Sequence, residues 1–497
     1  MDDKVSAIEP GANIPKSMDD LTKRRALAND EKKRLVADKE DDLDPQNLHK
    51  YHKRHISITR PNSLAREINV YVGIDFGTSY TKAFFKSNEG HNVPVEWSEA
   101  INGKEGTVDE DYFLPSTLYY ENRTEKLYFY KKADCKLLFF KYGMIQPQLE
   151  NEIFIGKRNR LRNGAEKNEF VSSIFYVANV IHLIKKYIEQ KLEVSLRRIK
   201  FRFNMGCPIE NWGCKYKGLY WLVLKTAYLL EKDGLKDGLT VQEIYEFYKK
   251  NKDADDDDCI HVIPELYAEA YSFINDSSTK DGHYTILDVG GGTVDFAVIR
   301  VKHINNIKKV TFISQSVLPL GIEMLLKRFY PDSTDNEYIQ NKELLKTEKE
   351  TIKAVYDSWE TLTNHRERTP YEFRKGFNDI ILAAGSKDSD LKINGDKKKV
   401  LPLYVYGGGA NYEWYISIIY NHNPTISNAD IPPLSRRYKK SNLFRLVIAE
   451  NLANIRDYIE DDDPESPVNF GPCFVKTKNK KQNWEIKIAD YGIEDDR

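Results

Sequence analysis

Two short stretches of this chain place an acidic residue, glycine and small hydroxyl residues in the same order. One is Asp75-Phe76-Gly77-Thr78-Ser79 and the other Asp288-Val289-Gly290-Gly291-Gly292-Thr293. In each, a functional polar residue follows at the same distance from the aspartate, Lys82 in the first and Asp295 in the second. Glycine beside threonine or serine leaves backbone amides free to point at an anion. Two such turns facing each other would hold a polyphosphate from both sides, with the entry aspartates near the metal that neutralises it. A third glycine run, Gly407-Gly408-Gly409-Ala410, offers a flat backbone surface suited to a nucleoside and its phosphate.

Strands must carry all three. Ile68, Val70, Val72 and Ile74 alternate at period two and stop at Asp75, and Tyr80 to Lys86 returns as a second strand, so the first turn is a hairpin. Tyr284 to Leu287 and Val294 to Ile299 repeat that design, which predicts an internal repeat of a whole domain. Leu401 to Tyr406 reads as a buried strand, with a helix from Asn411 to Tyr420 leaving the third run. No GxxxxGK[ST] occurs, which excludes a P-loop, and no HExxH or GxSxG offers a hydrolase alternative.

At 497 residues, 40% hydrophobic and 30% charged, the chain is long enough for several structural units and too apolar for global disorder. The formal charge of -1 supplies no chain-wide attraction to nucleic acid or anionic membrane. Five scattered cysteines without metal-site spacing, no run long enough to span a membrane and no apolar leader point to a cytoplasmic protein. Residues 1–66 form a charged N-terminal segment, partly helical or disordered, with Leu21, Ala28 and Leu35 on a solvated helix capped by Ser17 and a basic linker around Lys50 to Arg60. The acidic run from Asp253 to Asp258 lacks the glycine and closing glutamate of a calcium loop and reads as solvated. Cys207 and Cys214 read as small core residues.

These motifs resemble the superfamily of actin, Hsp70 and sugar-kinase ATPases, and the Hsp70 nucleotide-binding domain above all. Val72 to Tyr80 is similar to that family's first phosphate motif, Asp288 to Asp295 to its second, and Ile263-Pro264-Glu265-Leu266-Tyr267-Ala268-Glu269-Ala270 to the segment linking the lobes. Gly407 to Ala410 stands at the adenosine motif, and Glu350 and Lys353 are spaced as on the helix that touches ribose and adenine. The resemblance covers residues 68 to 460 and implies a duplicated, two-lobed α/β fold with nucleotide between the lobes. Lobe I would span 67–262 and lobe II 263–460, with a crossover helix near the end and an acidic linker and tail over 461–497.

Carried over residue by residue, the resemblance implies ATP or ADP with Mg2+. Asp75 and Asp288 would hold the metal through its waters. Gly77, Thr78, Ser79, Tyr80, Lys82 and Gly290 to Thr293 would bind phosphates, while Glu265 and Asp295 complete the shell around the attacking water. Lys82 resembles the phosphate lysine of actin; the catalytic lysine of Hsp70 is expected near Lys131 and Lys132. Asn411 stands where Hsp70 chaperones carry an adenine-stacking arginine, and Ala449-Glu450-Asn451 replaces a glycine-containing helix turn. The helix from Ser441 to Glu460 would bury Leu443, Leu446 and Val447, and residues 461–497 are too few for a peptide-binding domain. The expected activity is therefore an ATP-hydrolysing switch acting through a protein partner, mostly monomeric. An actin-like filament protein, a small-molecule kinase and a non-hydrolysing nucleotide sensor are the alternatives.

Overall fold

The computed structural model describes residues 67–101, 111–130, 135–137, 140–145, 169–208, 215–254, 259–275, 279–304, 307–318, 320–323, 369–387, 391, 401–411, 426–430, 446–455 and 468–469, all within one compact unit, Ala65–Arg497. The fold is mixed α/β. Its first sheet is built on β1 (Ile68–Phe76), β2 (Tyr80–Ser87) and β3 (Asn92–Pro94), with β4 (Leu114–Pro115) beside β2, and it continues through β8 (Ile199–Cys207) and β10 (Ile260–Pro264) in the order β10-β8-β1-β2-β3. Strand β2 runs antiparallel to β1 and β3, whereas β8 and β10 run parallel to β1.

The second sheet has the same pattern. Strands β11 (Gly282–Val289), β12 (Val294–Ile304) and β13 (Ile307–Leu318) form two antiparallel hairpins, and β14 (Leu401–Tyr406) and β15 (Ile426–Asp430) extend the sheet in parallel on the β11 side. Strand β16 (Val468–Asn469) adds to the far edge beside β13. A small third sheet joins β5 (Leu118–Glu121), β6 (Lys126–Tyr128), β7 (Cys135–Leu137) and β9 (Leu239–Thr240).

The hairpins expected from the period-two alternation are present, and their register explains the repeated spacing. Asp75 is the cross-strand partner of Lys82, and Asp288 of Asp295. Each distance along the chain thus encodes one rung just before the turn, where two side chains stand side by side. Residues Val72, Ile74, Phe76, Leu287 and Val289 are fully buried, as in sheets covered on both faces.

Helices α1 (Trp97–Ala100), α2 (Phe140–Ile145), α3 (Glu169–Leu192), α4 (Lys215–Asp233) and α5 (Val241–Asn251) belong to the first sheet's side, and their buried residues join one core with β1, β2 and β8. Helix α5 opens on a capping box, with Thr240 and Glu243 bonding each other's backbone amides. Helix α6 (Glu265–Asn275) begins where β10 ends and packs into the core of the second sheet. The 262/263 division therefore falls inside β10, and the chain leaves the first sheet after Pro264. Helix α7 (Thr369–Lys387) lies against β12 and β13.

Helix α8 (Val447–Asn454) returns to pack on β1, β2 and β8 as well as on α6. A strand glycine lets this helix approach closely. A Cβ on Gly73 would collide with the Ala449 carbonyl and approach Ala453 N at 2.5 Å. Helix α8 ends at Asn454, short of the expected Glu460, because Asn204 on β8 donates to the carbonyls of Leu452 (2.7 Å) and Ile455 (2.8 Å) and caps the last turn. From the other side, Asn451 donates to Ala268 O (2.7 Å) and Ser272 Oγ (2.8 Å), tying α8 to α6. Leu446 and Val447 are buried as expected. The expected N-terminal helix, Lys131, Lys132, Cys214, the run 255–258, Glu350, Lys353, Leu443, positions 412–420 and the tail around β16 lie outside the described residues.

Candidate functional site

The carboxyl-terminal ends of the parallel strands in both sheets meet at one place. Strand β1 delivers Asp75, β10 leads directly into Glu265 at the start of α6, and β11 delivers Asp288. This is the end of a parallel α/β sheet where loops are free to hold a ligand. Each hairpin turn is closed in the same way, Gly77 N donating to Tyr80 O (3.1 Å) and Gly290 N to Thr293 O (2.9 Å). A following segment then buttresses each turn. Ser116 donates its amide to Ser79 O (2.9 Å) and its hydroxyl to Gly77 O (2.7 Å), while residues 321–323 donate their amides to the carbonyls of Gly290, Gly291 and Gly292 at 2.8 to 3.2 Å.

Among the described residues, the amides of Thr78, Ser79, Gly291 and Gly292 engage no backbone acceptor. Four N–H groups are thereby left at the tips of two facing loops. The loops touch: Ser79 Oγ donates to Glu323 Oε1 at 2.6 Å, a bond between residues 244 positions apart. Tyr80 contributes through its carbonyl, and its ring packs edge-on against Phe113.

Between the loops lies a concentration of charge. The carboxylates of Glu265, Asp288 and Asp295 approach within 4.8 Å of one another, and all three are buried. Asp75 is buried as well and is paired with Lys82. Lys141 on α2 donates to Glu265 Oε1 at 2.9 Å, and both partners are buried. Its ammonium also stands 5.6 Å from the centroid of Phe76 and 5.8 Å from that of Tyr220. Gly206 on β8 leaves the space for the glutamate, since a Cβ there would lie 2.9 Å from Glu265 Cγ.

Burial dominates the protonation of this group. It raises Asp288 to about 7, helped by the negative charges of Glu265 and Asp75, and it drives Asp295 well above the carboxylate range, helped by Asp288. Glu265 is raised by burial against the pull of Lys141. Burial works to lower Lys141, but the charges of Glu265 and Asp75 outweigh it, so the ammonium is held charged. Lys141 is thus a fixed positive charge and not a base.

A divalent cation suits the donor set. Asp288 Oδ1 and Asp295 Oδ1 are buried and have no hydrogen-bond partner among the described residues, and three oxygen-bearing side chains converge without a basic group bonded to either atom. Clustered carboxylates of this kind are stabilised by a hard cation or by protons. The sequence places Asp75 and Asp288 around a metal through its waters; the carboxylates that converge closely enough to ligate an ion directly are Glu265, Asp288 and Asp295, while Asp75 is paired with Lys82.

The third glycine run joins the same place through β14, the parallel neighbour of β11. Asp288 is in register with Tyr406, and Gly407 takes φ +77, a left-handed conformation that suits glycine. A Cβ there would strike Asp288 Oδ1, and one on Gly409 would strike Val289. Gly408 to Asn411 forms a short 3-10 turn; the positions beyond it lie outside the described residues.

Three side chains of this site carried no assignment from sequence. Lys141 lies beyond Lys131 and Lys132 in the chain, and the signal for it was a lone lysine closing the apolar run Leu137-Leu138-Phe139-Phe140. Glu269 follows Glu265 by one helical turn, is fully buried with neither carboxylate oxygen partnered among the described residues, and is raised well above its ordinary range by burial and then by Asp288. Glu323 had no signal beyond its place after Leu320 and Gly321. No protein-family model matches the chain, and no curated protein matches it.

Proposed function

We propose that the chain is a two-lobed nucleotide switch of the actin and Hsp70 type, binding ATP with Mg2+ between its two sheets and hydrolysing it. The observation that carries this reading is the repeated unit. Two sheets of one strand pattern each end a hairpin in an aspartate with a cross-strand polar partner, and the two turns present free amides to the same space.

In this reading the amides of Thr78, Ser79, Gly291 and Gly292 bind phosphate oxygens. Glu265, Asp288 and Asp295 hold Mg2+, which when bound supplies neutralisation of phosphate charge. Lys141 keeps a permanent positive charge beside the phosphate position and fixes Glu265 through Oε1, so that this carboxylate stays oriented while water approaches. Thr293 Oγ1 lies 3.4 Å from Asp295 Oδ2 and orients the second acid. Gly407 to Gly409 give the nucleoside a surface without side chains, pressed on Val289. Helix α8, wedged against Gly73 and tied to α6 by Asn451, is the element through which closure would spread, and a partner protein reading that change is the expected receiver.

The resemblance of Lys82 to the phosphate lysine of actin favours one second reading, an actin-like filament protein. Sedimentation with and without Mg-ATP separates the two, since assembly on ATP addition selects the filament and a monomer that binds and hydrolyses selects the switch. A chain that neither binds nor hydrolyses Mg-ATP contradicts both.

A further inference from the structure

We propose that Glu323 is a built-in competitor for phosphate: its carboxylate latches the two hairpin loops together through Ser79, and a phosphate group enters by displacing it. The inference rests on the reading of these loops as phosphate-binding. A serine hydroxyl has one hydrogen to donate, and that of Ser79 is given to Glu323 Oε1 at 2.6 Å. While the bond stands, Ser79 has no proton for a phosphate oxygen. Carboxylate and phosphate are both anionic acceptors, so they compete for one donor and repel each other across it.

The contact joins the two loops and not merely two side chains. Glu323 is buried, and its amide donates to Gly291 O at 2.8 Å, so it moves with the second hairpin, whereas Ser79 belongs to the first. Gly291 completes the closure, because a Cβ there would collide with Ser79 Oγ and stand 3.1 Å from Glu323 Cγ. The ligand-free protein is therefore held closed by its own anion. Only the unlatched fraction accepts phosphate, and the apparent affinity falls by that fraction.

The test uses the full chain with Mg-ATP and, separately, Mg2+ with inorganic tripolyphosphate as probes in calorimetry. Glu323→Gln keeps the size of the side chain and removes its charge, and Glu323→Ala removes the latch. Both are expected to bind each probe about tenfold more tightly than the unaltered chain, the size of one charge-assisted hydrogen bond. Ser79→Ala, which loses latch and donor together, is expected not to tighten. A ligand-free urea-unfolding cycle over Ser79→Ala, Glu323→Ala and the double variant is expected to show coupling between the two positions. Unchanged or weaker binding in both Glu323 variants, with the unaltered chain binding normally, overturns the latch and leaves the phosphate site standing. Absence of coupling overturns it as well. No binding of either probe by any of the chains removes the phosphate site itself and the competitor with it.

Discussion

Replacing Asp288 by asparagine should stabilise the metal-free protein at pH 8 while destroying its affinity for Mg-ATP. Burial and the charges of Glu265 and Asp75 raise this acid from 3.8 to about 7. The difference of about three units corresponds to a ceiling of about 4 kcal/mol between protonated and ionised forms. The sign follows from the direction of the shift. An acid whose folded pKa is raised contributes stability that is present below its ordinary pKa and is lost as pH rises through the folded value, here between about pH 4 and 7. Asparagine cannot ionise and so keeps what aspartate loses. Urea unfolding at pH 5, 6, 7 and 8 in the presence of a chelator measures this directly. The stability of Asp288→Asn relative to the unaltered chain should grow by about 2.5 kcal/mol across that range, the earlier part of the loss lying below pH 5. Added Mg2+ should restore the unaltered chain at pH 8 and leave the variant unmoved. Parallel pH profiles, or a variant weakened equally at every pH, would refute the assignment of Asp288 to a buried, charge-crowded cation position.

Lys141→Met should cost about 3–5 kcal/mol at pH 8, because Glu265 is left as an unpaired buried charge, and less at pH 5, where that raised acid is closer to neutral; urea titrations at the two pH values check it. Gly73→Ala should destabilise by about 3 kcal/mol, since the added methyl meets the Ala449 backbone and not a side chain that can turn aside; thermal unfolding and amide exchange in α8 would register the displaced helix. Gly407→Ala should cost at least about 3 kcal/mol, its left-handed backbone adding about 1–2 kcal/mol to the methyl's collision with the Val289 backbone, and should also weaken nucleotide binding through the collision with Asp288 Oδ1, read by denaturation and calorimetry on the same preparation.

The chemistry legible in the sequence was the part written locally. Asp75 with Lys82 and Asp288 with Asp295 are rungs of single hairpins, so equal spacing along the chain became equal geometry. The strands were legible for the same reason, since Ile68 to Ile74 and Tyr284 to Leu287 alternate or run apolar within one element. What the sequence hid depends on long-range approach. Lys141 reaches Glu265 across 124 positions and Ser79 reaches Glu323 across 244, and neither pairing leaves a periodic trace. The end of α8 was misplaced because Asn204, far upstream, supplies the cap, and the close approach of α8 to β1 was hidden because it depends on Gly73, far from α8 in sequence. Asp75 looked equivalent to Asp288, but the residue across its rung is a lysine where the other hairpin has an acid, so Asp75 is ion-paired while Asp288 stands in the carboxylate cluster.

The most direct test of a phosphate chain held between the two hairpins is calorimetry of the full chain with ATP, ADP, AMP and adenosine, with Mg2+ and with a chelator. Affinity should fall in that order as phosphates are removed. It should depend on Mg2+ for ATP and disappear in Asp288→Asn. Equal binding of adenosine and ATP, or ATP binding indifferent to both Mg2+ and Asp288, would contradict the account.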